Sequence, residues 1–333
     1  MIPPFLNRSL LLTCIIPILV VMVSFNTHAY AQWYQDKQAI MGTLVQVELW
    51  SESPVQAQQA ISAVMSEMHR IDALMSPFKK DSELSYINTT AIKQPARASH
   101  EMLELIRRSI EISVLSKGVF DISFASIGNL YDYRRQINPD AGTIQQRLGA
   151  INYKNIILDH HASTIYFKRK DMSIDLGGIA KGHAVDNAIR ILEKLGIKMA
   201  MVSAGGDSRI ISDRLGRPWM VGIKHPRISD KSSVVLPISS TAVSTSGDYE
   251  RFFIKNGTRF HHIISPKNGK SAQNSQSATI IGPESTTCDA LSTTIFILGY
   301  PKGIELIESI PDYDAIIIDE QGKLHYSSGL LPP

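Results

Sequence analysis

Ser173-Ile174-Asp175-Leu176-Gly177-Gly178-Ile179-Ala180-Lys181-Gly182 is the stretch on which the reading of this chain turns. Residues 173–176 read as a short strand whose end delivers the Asp175 carboxylate. Gly177 and Gly178 permit close backbone approach and open a long helix. Its apolar stripe runs through Ile179, Ala184, Val185, Ala188, Ile189, Leu192 and Leu195 until Gly196 ends it. Free N–H groups and the positive end of the helix dipole suit such a junction to a phosphate, and Lys181 in the first turn adds a full charge. The glycine spacing fits neither a Walker A loop nor a Rossmann fingerprint. On its own, the segment is equally readable as a tight strand-to-helix turn.

Upstream, residues 39–49 alternate like a strand with Gly42 near its start, and Ala60, Val64, Met68, Ile71 and Met75 mark a helix that Pro77 stops. A polar loop with Ser82, Glu83 and Asn88 follows, then a helix over 102–115 closed by Gly118, then strands over 155–158 and 164–167. Downstream come a strand over 199–203 entering Ala204-Gly205-Gly206-Asp207, another over 208–211, several within 219–260, a helix over 285–298 and a strand over 315–318. Strands and helices mix without the regular alternation of a doubly wound sheet. The predicted class is therefore α+β, with mixed or antiparallel sheets and packed helices, in one continuous unit over 32–333.

Composition narrows the function. Among 333 residues, 44% are hydrophobic and 20% charged, which is ordinary for a globular chain. A net charge of +3, with no basic stripe interleaved with aromatics, argues against nucleic acid as a partner. Residues 1–31 read as a cleaved secretory signal: Arg8 is the positive end, 10–23 the apolar run and Ala29-Tyr30-Ala31 the cleavage pattern. Pro17 breaks the run, which is shorter than a membrane span of about 20 residues. The expected protein is exported and periplasmic, or attached to the inner membrane if the signal stays on. Cys14 lies inside the apolar run after Thr13, a poor setting for lipidation. Cys288 then remains as a single thiol, expected as a small buried hydrophobe.

Asp289 and Thr293, four apart in the last long helix, project from one face and offer hard oxygen ligands of the kind that suits Mg²⁺. Taken alone, Asp289 reads more simply as a charge near a helix start. Phe260-His261-His262-Ile263 enters a Pro266-to-Gly269 turn, and adjacent histidines on a strand face opposite ways, so at most one of them joins a given site. No His or Cys partner sits at zinc-ligand spacing. Gly118-Val119-Phe120-Asp121 and Met75-Ser76-Pro77-Phe78 are unremarkable turns by composition.

In this order, several motifs together resemble the ApbE family of flavin transferases over nearly the whole mature chain. They are Met41-Gly42-Thr43, Met75-Ser76-Pro77-Phe78, Ser82-Glu83-Leu84-Ser85 with Asn88, Gly118-Val119-Phe120-Asp121, and Asp175 to Gly182. Beyond these come Ala204-Gly205-Gly206-Asp207, Ser246-Gly247-Asp248-Tyr249-Glu250-Arg251, His262-Ile263-Ile264, and Asp289-Ala290 with Thr293. The resemblance implies FAD as substrate, contacted by Met41, Phe78, Phe120, Asp121, Asp175, Lys181 and Ile263. It implies Mg²⁺ held by Asp289, Thr293 and the backbone carbonyl of Gly178. The implied reaction moves FMN to a threonine of an exported acceptor, a domain of a membrane redox or respiratory complex, and frees AMP; His262 is the candidate base. A periplasmic FAD carrier, an FAD pyrophosphatase and a flavin-free assembly partner are the rival readings. Phe78 replaces the family's usual tyrosine and Ile122 a common proline. Ser265 and Asn268 replace the aspartate and threonine of the usual Asp-Pro-x-Thr-Gly turn.

Overall fold

The computed structural model describes residues 31–331 together with Met1; the expected signal segment, Arg8 and Cys14 included, otherwise lies outside the described residues. Eight strands form the central sheet: β1 (Gln32–Ile40), β2 (Thr43–Ser51), β3 (Ala200–Ala204), β4 (Asp207–Ile211), β5 (Ala242–Gly247), β6 (Ser275–Gly282), β7 (Asp314–Asp319) and β8 (Leu324–Tyr326). They lie side by side in chain order, each antiparallel to its neighbours. The class is α+β. Helices α1 (Pro54–Met75), α2 (Glu83–Thr90), α3 (His100–Leu115) and α4 (Ala180–Lys194) belong to the long excursion between β2 and β3, while α5 (Ser285–Leu298) and α6 (Lys302–Glu308) follow β6.

The pattern of β2 shows why the sheet sits where it does. Val45, Val47 and Leu49 are fully buried against the helices while their neighbours are not, the period of two that a half-buried strand requires. The expected strand over 39–49 is in fact split. Met41 and Gly42 both take positive φ, 56° and 70°, making a two-residue hairpin turn that reverses the chain between β1 and β2.

On one face of the sheet, α1 and α4 bury Ala60, Val64, Met68, Ala184, Ala188 and Leu192 in the first core cluster. Ser53 starts α1 by accepting the Gln56 N–H, with Pro54 at its first position. A second cluster surrounds α5, which packs between α4 and strands β5 and β6. Nearly every residue of α5 is buried, so its polar groups need partners inside the protein. Its N-terminus has no local side-chain cap. Asp186 of α4 supplies one instead, accepting Ser285 N–H at 3.0 Å, Thr286 N–H at 2.8 Å and the Thr286 hydroxyl at 2.5 Å, while Arg209 of β4 balances its charge.

The opposite face carries a hairpin of Trp219–Lys224 and Ser232–Ile238. Arg214 lies against the rings of Trp33 and Trp219, 4.8 and 5.1 Å from their centres, and pairs with Glu48. A cleft of about 950 Å³, lined by Trp33, Glu48, Ser203, Thr245 and Trp219, separates hairpin from sheet on the side away from α4 and α5. Among the described residues no helix is long and apolar enough to cross a membrane.

Two further sequence expectations need correction. The loop expected around Ser82, Glu83 and Asn88 is α2, begun by the Ser82 hydroxyl accepting the Ser85 N–H. Residues 173–176 pair with no strand among the described residues, because side chains and the Ile122 carbonyl satisfy their backbone. Asn88 binds both the N–H and the carbonyl of Ile174, at 2.8 and 2.9 Å, and Ser126 accepts from Ser173 N–H.

Candidate active site

Asn88 and the Ile122 carbonyl, which accepts Asp175 N–H, fix the approach to the glycine turn. The Asp175 carboxylate then folds back to accept the Gly177 N–H at 2.6 Å. Burial raises the Asp175 pKa, while that hydrogen bond and the charges of Arg251 and Lys181 pull it back. Helix α4 starts after the turn with no side-chain cap of its own. Its Gly182 N–H donates instead to Asp289 Oδ2 at 3.1 Å. That contact needs glycine: a Cβ at 182 would run into the Ser285 carbonyl and stand 2.9 Å from Asp289 Cβ. Helices α4 and α5 therefore meet backbone to backbone where the sequence places Lys181 and Asp289.

Between them lies a compact charge cluster. Lys181 Nζ is 2.7 Å from Asp207 Oδ2, 3.2 and 3.3 Å from the two Asp289 oxygens, and 3.3 Å from the Gly177 carbonyl. Both carboxylates are 2% exposed, which decides their energetics: two negative charges share one ammonium out of water. The Asp207 contact is the shortest of these, and Asp207 Oδ2 has no other partner among the described residues. Burial, then the Asp207 charge, lifts Asp289 well above the usual carboxylate range. Burial opposes the Lys181 charge, yet Asp207 and Asp289 outweigh it and keep the ammonium protonated.

Thr293 completes the cluster one turn along α5. A Cβ on Gly178 would sit 3.4 Å from Thr293 Oγ1 and 3.3 Å from the Phe120 ring, so the glycine turn, Phe120 and Thr293 pack together. Ser246 Oγ lies 2.8 Å from Ser292 Oγ and 3.1 Å from Thr293 Oγ1, and Ser292 donates to the Asp289 carbonyl. The donor set is hard throughout, with carboxylates, a hydroxyl and turn carbonyls, and the Lys181 ammonium fills the gap as a stand-in cation. These residues fit Mg²⁺, which takes few protein ligands and keeps places for water and phosphate.

The remaining sequence candidates surround the cluster at different depths. Met41 forms the β1–β2 turn with Gly42, whose Cα faces Arg251: an added Cβ would be 3.4 Å from the guanidinium. Arg251 has no carboxylate partner among the described residues, and its carbonyl accepts the His262 N–H at 3.1 Å. His262 Nδ1 is buried with no hydrogen-bond partner among the described residues. Burial, then the positive charges of Arg251, His261 and Lys181, lower the His262 pKa to about 3, so the ring is neutral. Its neighbour His261 is buried and bonds the Ala272 carbonyl at 2.6 Å, a core residue. Ile263 is buried in the second cluster. The Asp121 carboxylate is committed to Ser123 and to the Tyr153 N–H, and its carbonyl accepts the Phe124 N–H. Phe78 stands apart: its ring is 82% exposed and no hydrogen bond ties it to the cluster.

Asp207, Ser246 and Asn88 stood in quoted motifs without a role. Their parts depend on pairing of distant segments, and nothing in their local sequence announces them.

The profile of the ApbE family matches residues 41–317. This chain belongs to the ApbE family. An ApbE relative, the FAD:protein FMN transferase of Treponema pallidum, is 28% identical over 92% of this chain and 90% of its own length. The crystal structure of the ApbE protein of Thermotoga maritima superposes with a TM-score of 0.83 at 31% identity, covering 90% of this chain and 98% of that one. The flavin transferase ApbE of Vibrio cholerae gives 0.79 at 25% identity, with the same coverage. Like its ApbE relatives, the chain is an enzyme of the transferase class.

Proposed function

We propose that this enzyme transfers FMN from FAD to a threonine hydroxyl of an exported acceptor protein and releases AMP. The names of its relatives support the flavin chemistry. The observation that carries the site assignment is the meeting of Lys181, Asp289 and Thr293 beneath the Gly177-Gly178 turn.

In this reading the uncapped start of α4 and the Lys181 ammonium bind the FAD diphosphate, anion to helix terminus and cation. Asp289, Thr293 and the Gly178 carbonyl hold Mg²⁺, which when bound offsets the charge that builds on the diphosphate. Met41, Phe78, Phe120, Asp121, Asp175 and Ile263 surround the nucleotide. The threonine oxygen attacks the FMN-side phosphorus, the bond from that phosphorus to the bridging oxygen breaks, and AMP leaves with the oxygen. His262 takes the hydroxyl proton at Nε2, its buried Nδ1 having no hydrogen-bond partner among the described residues. The acceptor is a domain of a membrane redox or respiratory complex, and the enzyme works outside the cytoplasm, in keeping with the signal pattern over 1–31.

The test mixes purified protein with FAD, Mg²⁺ and a threonine-containing acceptor domain. The expected result is an acceptor heavier by one esterified FMN, together with an equal amount of AMP. Asp289→Ala is expected to lower the rate about 100-fold or more. Flavin bound without AMP would replace this reading with a carrier, and AMP with free FMN would replace it with a pyrophosphatase.

A further inference from the structure

We propose that Asp207 is a positioning residue that parks the Lys181 ammonium against Asp289, as a placeholder for the divalent cation, until cation and diphosphate arrive together. The inference deepens the metal and phosphate assignment above and rests on it.

The geometry gives Lys181 two attachments of different kinds. Its shortest contact is the 2.7 Å ion pair with Asp207 Oδ2, an oxygen with no hydrogen bond from any other group among the described residues. The longer contacts, 3.2 and 3.3 Å, reach the Asp289 oxygens that are the candidate metal ligands. In the resting protein the ammonium therefore lies where a cation on Asp289 would lie, and the two cannot share that space because like charges a few ångströms apart repel strongly out of water. Asp207 and Asp289 come from different elements, a strand start and a helix, so the ammonium can turn away from one while staying with the other. A diphosphate at the glycine turn would draw Nζ off Asp289, and Asp207 would keep it as its counter-charge. Asp289 is then free for the metal. Metal and nucleotide are thereby coupled: each makes room for the other, and the coupling is reciprocal.

Without nucleotide, the wild-type protein should bind a divalent cation weakly. The experiment titrates flavin-free protein with Mn²⁺ alone and follows free Mn²⁺ by electron paramagnetic resonance. Lys181→Gln should bind Mn²⁺ about tenfold more tightly or better, because the resident charge is gone. Lys181→Arg, which keeps the charge, should stay near wild type. Asp207→Asn should change Mn²⁺ affinity differently with Lys181 present than in the Lys181→Gln protein, because Asp207 acts on the site through the ammonium. Should Lys181→Gln melt too low to titrate, the same claim is read as a larger rise in its Tm on adding Mn²⁺ than wild type shows. A Lys181→Gln protein with no tighter binding and no larger rise would overturn the placeholder role; an equal change from Asp207→Asn with and without Lys181 would overturn the part given to Asp207. Because no flavin is present, either failure leaves the transfer assay standing, and failure of transfer leaves this titration standing.

Discussion

His262 illustrates how much of a residue's behaviour lies outside its local sequence. The adjacent pair His261-His262 indicated that only one ring can join a site, since strand neighbours face opposite ways. Which one, and in what charge state, depends on Arg251 and Lys181 arriving from other segments. In the unfolded chain His262 titrates near its ordinary 6.5, whereas in the fold burial and those cations lower it to about 3. Between these values the unfolded chain takes up a proton that the native one refuses. The stability tied to the neutral ring is thus complete above pH 6.5 and is lost as pH falls toward 3. Urea midpoints at pH 7, 5 and 4 should fall with acidification, and His262→Gln should show a shallower fall; equal slopes would refute the assignment. That Asp289 and Thr293 share a face was legible from helical spacing, while their metal role came only with the family resemblance. Asp207 was not legible, because its approach to Lys181 is made by the β3–β4 turn.

At the scale of elements, α1 and the strands around 156–167 follow from periodicity, because each buries one clear face, while the strand at 314–319 shows as a short continuous apolar run. Legibility failed where another segment satisfies the backbone. Residues 173–176 look like a strand but are held by Asn88, and β6, at the heart of the sheet, passed unread. The split between β1 and β2 needed the positive φ at Met41, an uncommon choice outside glycine that the alternating pattern hides. The crossing of α4 and α5 depends on Gly182 in the same way. Gly182→Ala would push a methyl group into the Ser285 carbonyl, and overpacking of this kind costs about 1–3 kcal/mol. Guanidinium denaturation should show that loss, and Mn²⁺ affinity in the presence of FAD should drop with it, since Asp289 moves with α5.

For the molecule as a whole, the α+β class was readable from the irregular mix of elements, whereas the neighbour-by-neighbour order of the eight strands was not, since no single strand encodes its partner. Ligands that bind only the folded state raise its stability by about 2.7 kcal/mol at 100 times their dissociation constant. FAD and Mg²⁺ together should therefore raise Tm by more than the sum of their separate effects, and a purely additive rise would argue against a shared site. The backbone-to-backbone seam at Gly182 also limits what can travel. With no side chain as a spacer, the two helices would move as one wedge, and any closing over a nucleotide falls to exposed segments such as the one carrying Phe78, which lies open to water. Spin labels placed on the outer ends of α4 and α5 should report one unchanging separation with and without FAD, while a label at position 78 should shift.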